Sequence, residues 1–171
     1  MHSLKISCAG WLTLWWILLA AGCGAPPVEK SSQPATAPPG GSSGSLKRSA
    51  SAPLYYLDRV GETVNPFEKQ PVKVDVAGEL TLSGWAVDPD HKAAPGGVEV
   101  VIDGTPYRAI HNLSRQDVAD YFKVPAYEKA GYKFSMAASL LAKGQHQLMV
   151  RVISSDGTYF FEGAGLSLRV E

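Results

Sequence analysis

The chain lacks a surplus of either charge, and it lacks an apolar run long enough to cross a membrane. Its 171 residues include 16 basic and 16 acidic side chains, so the formal net charge is +0. A balanced chain has no basic excess of the kind that nucleic-acid-binding proteins carry. The longest apolar stretch, residues 8–21, has about 14 residues, whereas a transmembrane helix needs roughly 20. The composition therefore argues against a nucleic-acid partner and against a membrane-spanning helix.

Sequence signals for catalysis are also missing. There is no G-x-S-x-G motif of a nucleophilic serine. A glycine-rich phosphate loop would precede a helix, but Gly163-Ala164-Gly165 falls between the last two predicted strands. Asp117 and Asp120 belong to a predicted helix and do not form a recognisable pair of catalytic carboxylates. We therefore expect a non-enzyme without a cofactor, with a triad assembled from distant segments as the remaining alternative.

The first 23 residues have the three parts of an export signal. Lys5 lies in a short polar start, the apolar residues 8–21 follow, and the small residues Ala20-Ala21-Gly22 directly precede Cys23. This order is typical of a secretory signal peptide. The stretch Leu19–Cys23 resembles the bacterial lipobox, with Ala20 where that motif more often has leucine. The resemblance implies a signal peptide at residues 1–22 and a lipidated Cys23 that anchors the mature chain to the membrane.

The cysteine count supports lipidation over an ordinary cleaved signal or an uncleaved signal anchor, which are the alternatives. Cys8 lies inside the segment to be removed, so the mature chain keeps Cys23 alone and forms no internal disulfide. A free thiol in an oxidising compartment would be reactive, and acylation removes it. If the source is Gram-negative, resemblance to the lipoprotein sorting rules implies that Gly24, rather than Asp, directs the protein to the outer membrane, facing the periplasm or the exterior.

Residues 23–53 predict a flexible linker, and residues 54–171 predict the folded domain. The linker is rich in proline, serine, glycine and alanine and has no aromatic residue, so it has too little apolar surface to fold. A coil of this length has an end-to-end distance of roughly 30 Å.

The folded domain alternates apolar and polar residues with a period of two, which predicts strands with one buried face. The predicted strands lie around residues 55–60, 72–76, 80–82, 98–102, 106–110, 132–136, 148–152, 158–161 and 166–170. Asp103-Gly104 and Asp156-Gly157 predict tight hairpins. A helical insert is expected after Ser114 as N-cap, with Val118, Tyr121 and Phe122 on one face and Pro125 beyond its end.

Several short motifs add a family resemblance. They lie at residues 84–88 (GWAVD), 97–104 (GVEVVIDG), 115–119 (RQDVA), 131–132 (GY) and 144–146 (GQH). In this order they resemble the immunoglobulin-like β-sandwich appended to bacterial cell-surface glycosyltransferases and cell-wall hydrolases. The resemblance implies an all-β, immunoglobulin-like antiparallel β-sandwich with a short helical insert. It implies no activity, because function lies in sites rather than in folds.

Trp85 poses a question of register. Counting by twos from Leu80 and Leu82 directs Trp85 outward. A bulge at Ser83-Gly84 would reverse the register and bury it, and this is what we expect. The alternative is an exposed Trp85 that stacks on a sugar ring.

Further binding candidates are Tyr107, Tyr121 and Arg115. Aromatic side chains bind sugars and anchor protein interfaces, although core packing accounts for most of them. The run Tyr159-Phe160-Phe161 places aromatic rings on both faces of its strand, so a second sheet, the helical insert or a partner must cover one face. Arg115 lies at a helix start, where a cation is slightly unfavourable. A partner such as Asp120 or a ligand would explain this position, and simple solvation is the alternative.

We expect no metal site. Asp88-Pro89-Asp90-His91 groups two carboxylates and an imidazole, but the residues that follow do not continue a calcium loop, and a turn is the simpler interpretation. His111 and His146 have no partner at ligand spacing, so a structural or exposed place is expected for each.

The sequence as a whole predicts a membrane-anchored envelope lipoprotein with a non-catalytic binding or adaptor domain. Its partner would be an envelope protein or a cell-wall or polysaccharide glycan. A purely structural subunit of an envelope complex is the alternative, and an enzyme comes last.

Overall fold

Two packed sheets make up the part of the chain that the structure describes. The computed structural model describes residues 43–171, so the signal peptide, Cys23 and most of the predicted linker lie outside the described residues. The strands are β1 (Lys47–Arg48), β2 (Leu54–Val60), β3 (Thr63–Val64), β4 (Val72–Val74), β5 (Glu79–Val87), β6 (Gly97–Ile102), β7 (Thr105–Arg108), β8 (Ile110–Leu113), β9 (Gly131–Ala137), β10 (Gly144–Ile153), β11 (Tyr159–Glu162) and β12 (Leu166–Val170). The helix is α1 (Gln116–Phe122), and short 3-10 turns span Ser43–Ser45, Pro66–Glu68, Pro125–Lys129 and Ala138–Leu140.

The seven-stranded sheet is built around β10. One side of β10 pairs with β6, which pairs with β7; the other side pairs first with β12 and then with β11. The outer edges of β11 and β12 carry β1 and β4, both parallel. The second sheet has the order β3-β2-β5-β9-β8. The sets β2-β5-β9-β8 and β6-β10-β12 follow the ABED and CFG orders of the immunoglobulin sandwich, so the predicted all-β sandwich is confirmed.

The core lies between the sheets and comes from the alternating positions that the sequence indicates. Leu80, Leu82, Phe134, Val100 and Val150 are each at most 4% exposed. Complete burial of such a side chain contributes roughly 1.5–3 kcal/mol. The alternation therefore predicts which face of each strand is buried, and the burial of these side chains holds the two sheets together.

Both predicted hairpins form, with different turns. Asp103 and Gly104 have φ angles of 48° and 83° and directly connect β6 with β7, as a two-residue turn requires. The Asp156-Gly157 hairpin is wider, because the amide of Ser154 donates to the carbonyl of Tyr159 and closes a longer loop.

The predicted bulge at Ser83-Gly84 is wrong. β5 pairs with β9 without interruption, and the irregularity lies instead in β2, at Asp58. Gly84 points inward, where an added Cβ would lie 2.1 Å from the carbonyl oxygen of Tyr56. Gly84 therefore permits a close approach of the β2 backbone. It does not change the register of β5, and Trp85 stays on the outer face of the sheet.

Two further boundaries differ from the sequence expectation. The predicted strand 106–110 is two strands, because the chain passes at Ala109 from β7 in one sheet to β8 in the other. The linker was expected to continue to residue 53, yet β1 pairs with β11, and the amide of Ser49 donates to the carbonyl of Phe160. Within residues 43–171 no helix is both long and apolar enough to span a membrane.

The helical insert forms, but its cap and its buried face differ from the prediction. Arg115 occupies the N-cap position, and the hydroxyl of Ser114 donates to Glu128 instead of to the helix. Val118 and Ala119 are buried, whereas Tyr121 is 80% exposed. The covered face is therefore rotated toward Ala119: Val118, Ala119 and the partly buried Phe122 share one side of the helix, and Tyr121 falls outside it.

Candidate functional site

The outer face of the five-stranded sheet carries an open groove of about 1050 Å³. One row of directly paired residues crosses all five strands, and its members are Val64, Arg59, Ser83, Lys133 and Ile110. The next row pairs Thr81 with Ser135. These two rows place small hydroxyl side chains at the centre, a cation on either side and an apolar residue at each end. Arg108, a third cation, and the apolar Leu82 and Phe134 also line the groove.

Acidic groups in the groove are partly engaged. The carboxylate of Asp58 accepts a hydrogen bond of 2.6 Å from the Arg115 guanidinium. Glu79 accepts one of 3.4 Å from the hydroxyl of Ser135, and Glu62 lies at the same end of the groove. In the part of the chain that the structure describes, Arg59 and Lys133 make no ion pair.

Arg115 holds Asp58, one of the residues that line the groove. Its Nε and Nη2 atoms donate to both carboxylate oxygens of Asp117, at 2.8 and 2.7 Å, and Nη1 donates to Asp58. An added Cβ at Gly131 would lie 3.0 Å from Cγ of Arg115, so the glycine lets the arginine stem pass close to the sheet. The expected partner Asp120 is wrong, since it accepts from Gln116. All three nitrogens of the Arg115 guanidinium donate to carboxylates. Arg115 therefore positions Asp58 and Asp117 and is not available to contact a ligand.

Trp85 is half-buried on this outer face. The helical insert covers it, and its ring meets that of Phe122 edge-on at 5.6 Å. Tyr127 and Val87 belong to the same small cluster, which is separate from the main core. Trp85 is therefore neither in the core, as expected, nor a bare platform for a sugar.

Tyr107 and Tyr121 have opposite surroundings. Tyr107 packs against the main core, with its ring 6.1 Å from that of Phe134, so its role is structural. Tyr121 projects into solvent and contacts Phe122 edge-on at 4.9 Å. Of the four candidates from the sequence, only Tyr121 offers a free aromatic surface, and it does not line the groove.

The carboxylate of Asp88 connects two loops. It is fully buried and accepts hydrogen bonds from the amides of Asp90, His91 and Ser155, from the Ser155 hydroxyl and from Nδ1 of His91. Burial acts to raise the pKa of Asp88, but these donors outweigh burial and lower it. Hydrogen bonding to Asp88 in turn raises the pKa of His91.

This arrangement is a structural turn. Nε2 of His91 faces the carboxylate of Asp156 at 3.9 Å and not a hydroxyl, so the Asp88–His91 pair has no nucleophile to activate. Among the described residues, no three side chains of His, Cys, Asp or Glu gather as metal ligands. The rings of His91 and Tyr159 stack at 6.3 Å, and the Tyr159 hydroxyl donates to Asp90.

The other two histidines lie in separate surroundings. Both ring nitrogens of the buried His146 face acceptors, the Asp103 carboxylate at 2.5 Å and the carbonyl oxygen of Ala142 at 2.7 Å. The hydrogen bond with Asp103, followed by that with Ala142, raises the pKa of His146. Nδ1 of His111 is buried without a hydrogen-bond partner.

The aromatic run of β11 is covered from two sides. Phe161 lies in the core between the sheets, where Tyr159 packs against the same cluster. Phe160 points outward, and the guanidinium of Arg151 lies 4.9 Å from the centre of its ring. The chain itself covers this strand, so the run requires no partner.

Ser43 is bound to the seven-stranded sheet. The amide and hydroxyl of Ser43 both donate to the buried carboxylate of Glu99, whose strand β6 belongs to the seven-stranded sheet. Nη1 of Arg151 donates to the Ser43 hydroxyl at 3.3 Å. Ser43 is thus tied to the seven-stranded sheet, whereas the groove lies on the five-stranded sheet.

Comparison with known proteins found one distant structural neighbour to report. No protein-family model matches the chain, and no curated protein matches it. Among solved structures, the endo-β-1,4-mannanase from Thermotoga petrophila is similar, with a TM-score of 0.45 and 8% identity. The match covers 72% of this chain and 20% of the mannanase chain. The chain thus spans about a fifth of that enzyme's length.

Proposed function

We propose that this protein is a lipid-anchored lipoprotein of the bacterial cell envelope whose β-sandwich is a non-catalytic binding domain. The observation that supports the binding role is the open groove of about 1050 Å³ on the outer face of the five-stranded sheet. The partner is an envelope protein or a glycan.

The anchor follows from the sequence. Residues 1–22 have the order of a signal peptide, and Cys23 is the single cysteine of the mature chain. Two or more acyl chains give stable membrane attachment, since each buried methylene contributes about 0.8 kcal/mol. We expect mass spectrometry of the N-terminal peptide to find acyl groups on Cys23. Cys23→Ser should move the protein out of the membrane fraction, and unacylated Cys23 would refute the anchor.

The binding role is tested by filling the groove. Ser83→Trp places a large ring on the groove floor, whereas Ser167→Trp places the same ring on the outer face of the other sheet. Intact cells are crosslinked, and the captured molecules are identified by mass spectrometry. We expect a specific partner with wild type and with Ser167→Trp, and its loss with Ser83→Trp. Equal capture by both variants, or none by wild type, would contradict the proposal.

A further inference from the structure

The groove has its polar groups at the centre and its apolar groups at the ends. Ser83 and the neighbouring Thr81 and Ser135 form a hydroxyl floor, while Val64 (43% exposed) and Ile110 (66% exposed) stand at the two ends. Protein interfaces have the opposite order, with an apolar centre inside a polar rim. The groove therefore suits a ligand rich in hydroxyl groups better than it suits a folded protein surface.

Main-chain pairing with an extended peptide is not available on this floor. β5 runs through the middle of the sheet and is hydrogen-bonded on both sides, to β2 and to β9. A ligand on this face contacts side chains only. It cannot make the backbone hydrogen bonds that give affinity to a peptide bound as an added strand. This again favours a glycan, whose hydroxyls both donate to and accept from side chains.

Two exposed cations face each other across the floor. Arg59 and Lys133 pair directly with Ser83 from the strands on either side, so their Cα atoms are about two strand spacings, roughly 10 Å, apart. Neither makes an ion pair within residues 43–171. Three acids line the groove. Asp58 is already bound to Arg115, Glu79 stands four residues from Ser83 along β5, and Glu62 follows the end of β2. Arg108 is a third cation in the lining. A carboxylate above Ser83 would lie between two unpaired cations.

Resting on the proposed function, we propose that the groove binds a glycan strand that carries carboxylates, with Arg59 and Lys133 holding one carboxylate above Ser83. Hydroxyls of the floor bind sugar hydroxyls, and Val64 and Ile110 contact the apolar faces of sugar rings at the two ends. Charge-assisted hydrogen bonds of this kind are stronger than neutral ones and weaken as salt rises.

The experiment measures binding of uronic-acid polymers by calorimetry. Chain 23–171 carrying Cys23→Ser is titrated with polygalacturonate, alginate and hyaluronate, and each polymer is compared with its methyl-esterified form, which has the same backbone without the charge. We expect at least one acidic polymer to bind, and its ester to bind roughly tenfold more weakly or worse. Arg59→Ala and Lys133→Ala should each weaken binding by a similar factor.

Lys143→Ala is the matched control, because Lys143 is an exposed lysine that does not line the groove. We expect its affinity to equal that of wild type. The proposal is overturned if no acidic polymer binds, if the ester binds as tightly, or if Lys143→Ala weakens binding as much as Lys133→Ala. If crosslinking in cells meanwhile captures an envelope protein through the groove, the proposed function stands and this inference alone fails.

Discussion

Replacement of Asp88 by asparagine should destabilise the sandwich strongly. The carboxylate accepts five hydrogen bonds, two on Oδ1 and three on Oδ2, from donors in both connected loops. Asparagine keeps one acceptor oxygen and directs an NH2 group at donors, whichever way it is oriented. With the NH2 group on the Oδ1 side two backbone amides lose their acceptor, and on the Oδ2 side at least the Ser155 amide does, while the remaining hydrogen bonds lose their charge assistance. Each unsatisfied buried group costs about 1–3 kcal/mol. We expect a loss of about 3 kcal/mol in the free energy of unfolding.

Urea denaturation of chain 23–171 carrying Cys23→Ser measures this loss, and thermal melting should show a fall of about 10 °C. Asp75→Asn is the control, because Asp75 is exposed and asparagine keeps the oxygen that accepts the amide of Ala77; a change within about 0.5 kcal/mol is expected. Because the pKa of Asp88 is lowered in the fold, its contribution is present above the unfolded value of about 3.9 and is lost as pH falls. An Asp88→Asn variant as stable as the control would refute the reasoning.

Three further predictions concern histidine, glycine and tyrosine. Because the pKa of His146 is raised in the fold, its contribution to the free energy of unfolding is full below about pH 6.5 and is lost as pH rises through the pKa of the folded state. Asp103→Asn should reduce this loss of stability between pH 5.5 and 8.5. An unchanged pH profile in urea melts would contradict the prediction. Gly84→Ala should lower the free energy of unfolding by more than about 2 kcal/mol or prevent folding, because the added Cβ would lie 2.1 Å from a backbone oxygen. Circular dichroism and urea melts test this, and a variant as stable as wild type would show that the close contact is wrong. Tyr107→Ala should lower the free energy of unfolding by about 2–3 kcal/mol, whereas Tyr121→Ala should change it by less than about 0.5 kcal/mol. Similar values for the two variants in urea melts would contradict the packing of Tyr107 against the core.

The strands follow from the sequence because burial alternates with the pleat. The pattern in Val98, Val100 and Ile102 and in Leu148, Val150 and Val152 predicts both strands and their buried faces. Gly84 was misleading, since a glycine in a strand marks either a bulge or a close approach, and the sequence does not distinguish them. Tyr121 was misplaced for a related reason, because burial on a helix of only two turns depends on how it docks.

The groove could not be predicted, because it arises from pairing between distant segments. Arg59, Ser83 and Lys133 come from three strands that are widely separated along the chain, and their common row depends on the bulge at Asp58. The Arg115–Asp58 pair likewise joins residues 57 positions apart. Local periodicity indicates which face a side chain occupies, but it does not indicate which side chains meet across strands.

The central claim, a binding face on the five-stranded sheet of an anchored domain, is tested most directly by site-specific photocrosslinking in the native cells. A photoreactive amino acid at Ser135 lies in the groove, and the same residue at Ser167 lies on the outer face of the other sheet. We predict one specific adduct from Ser135, none from Ser167, and loss of the Ser135 adduct when Cys23→Ser releases the protein from the membrane. Equal labelling from both positions, or no adduct from Ser135, would contradict the account.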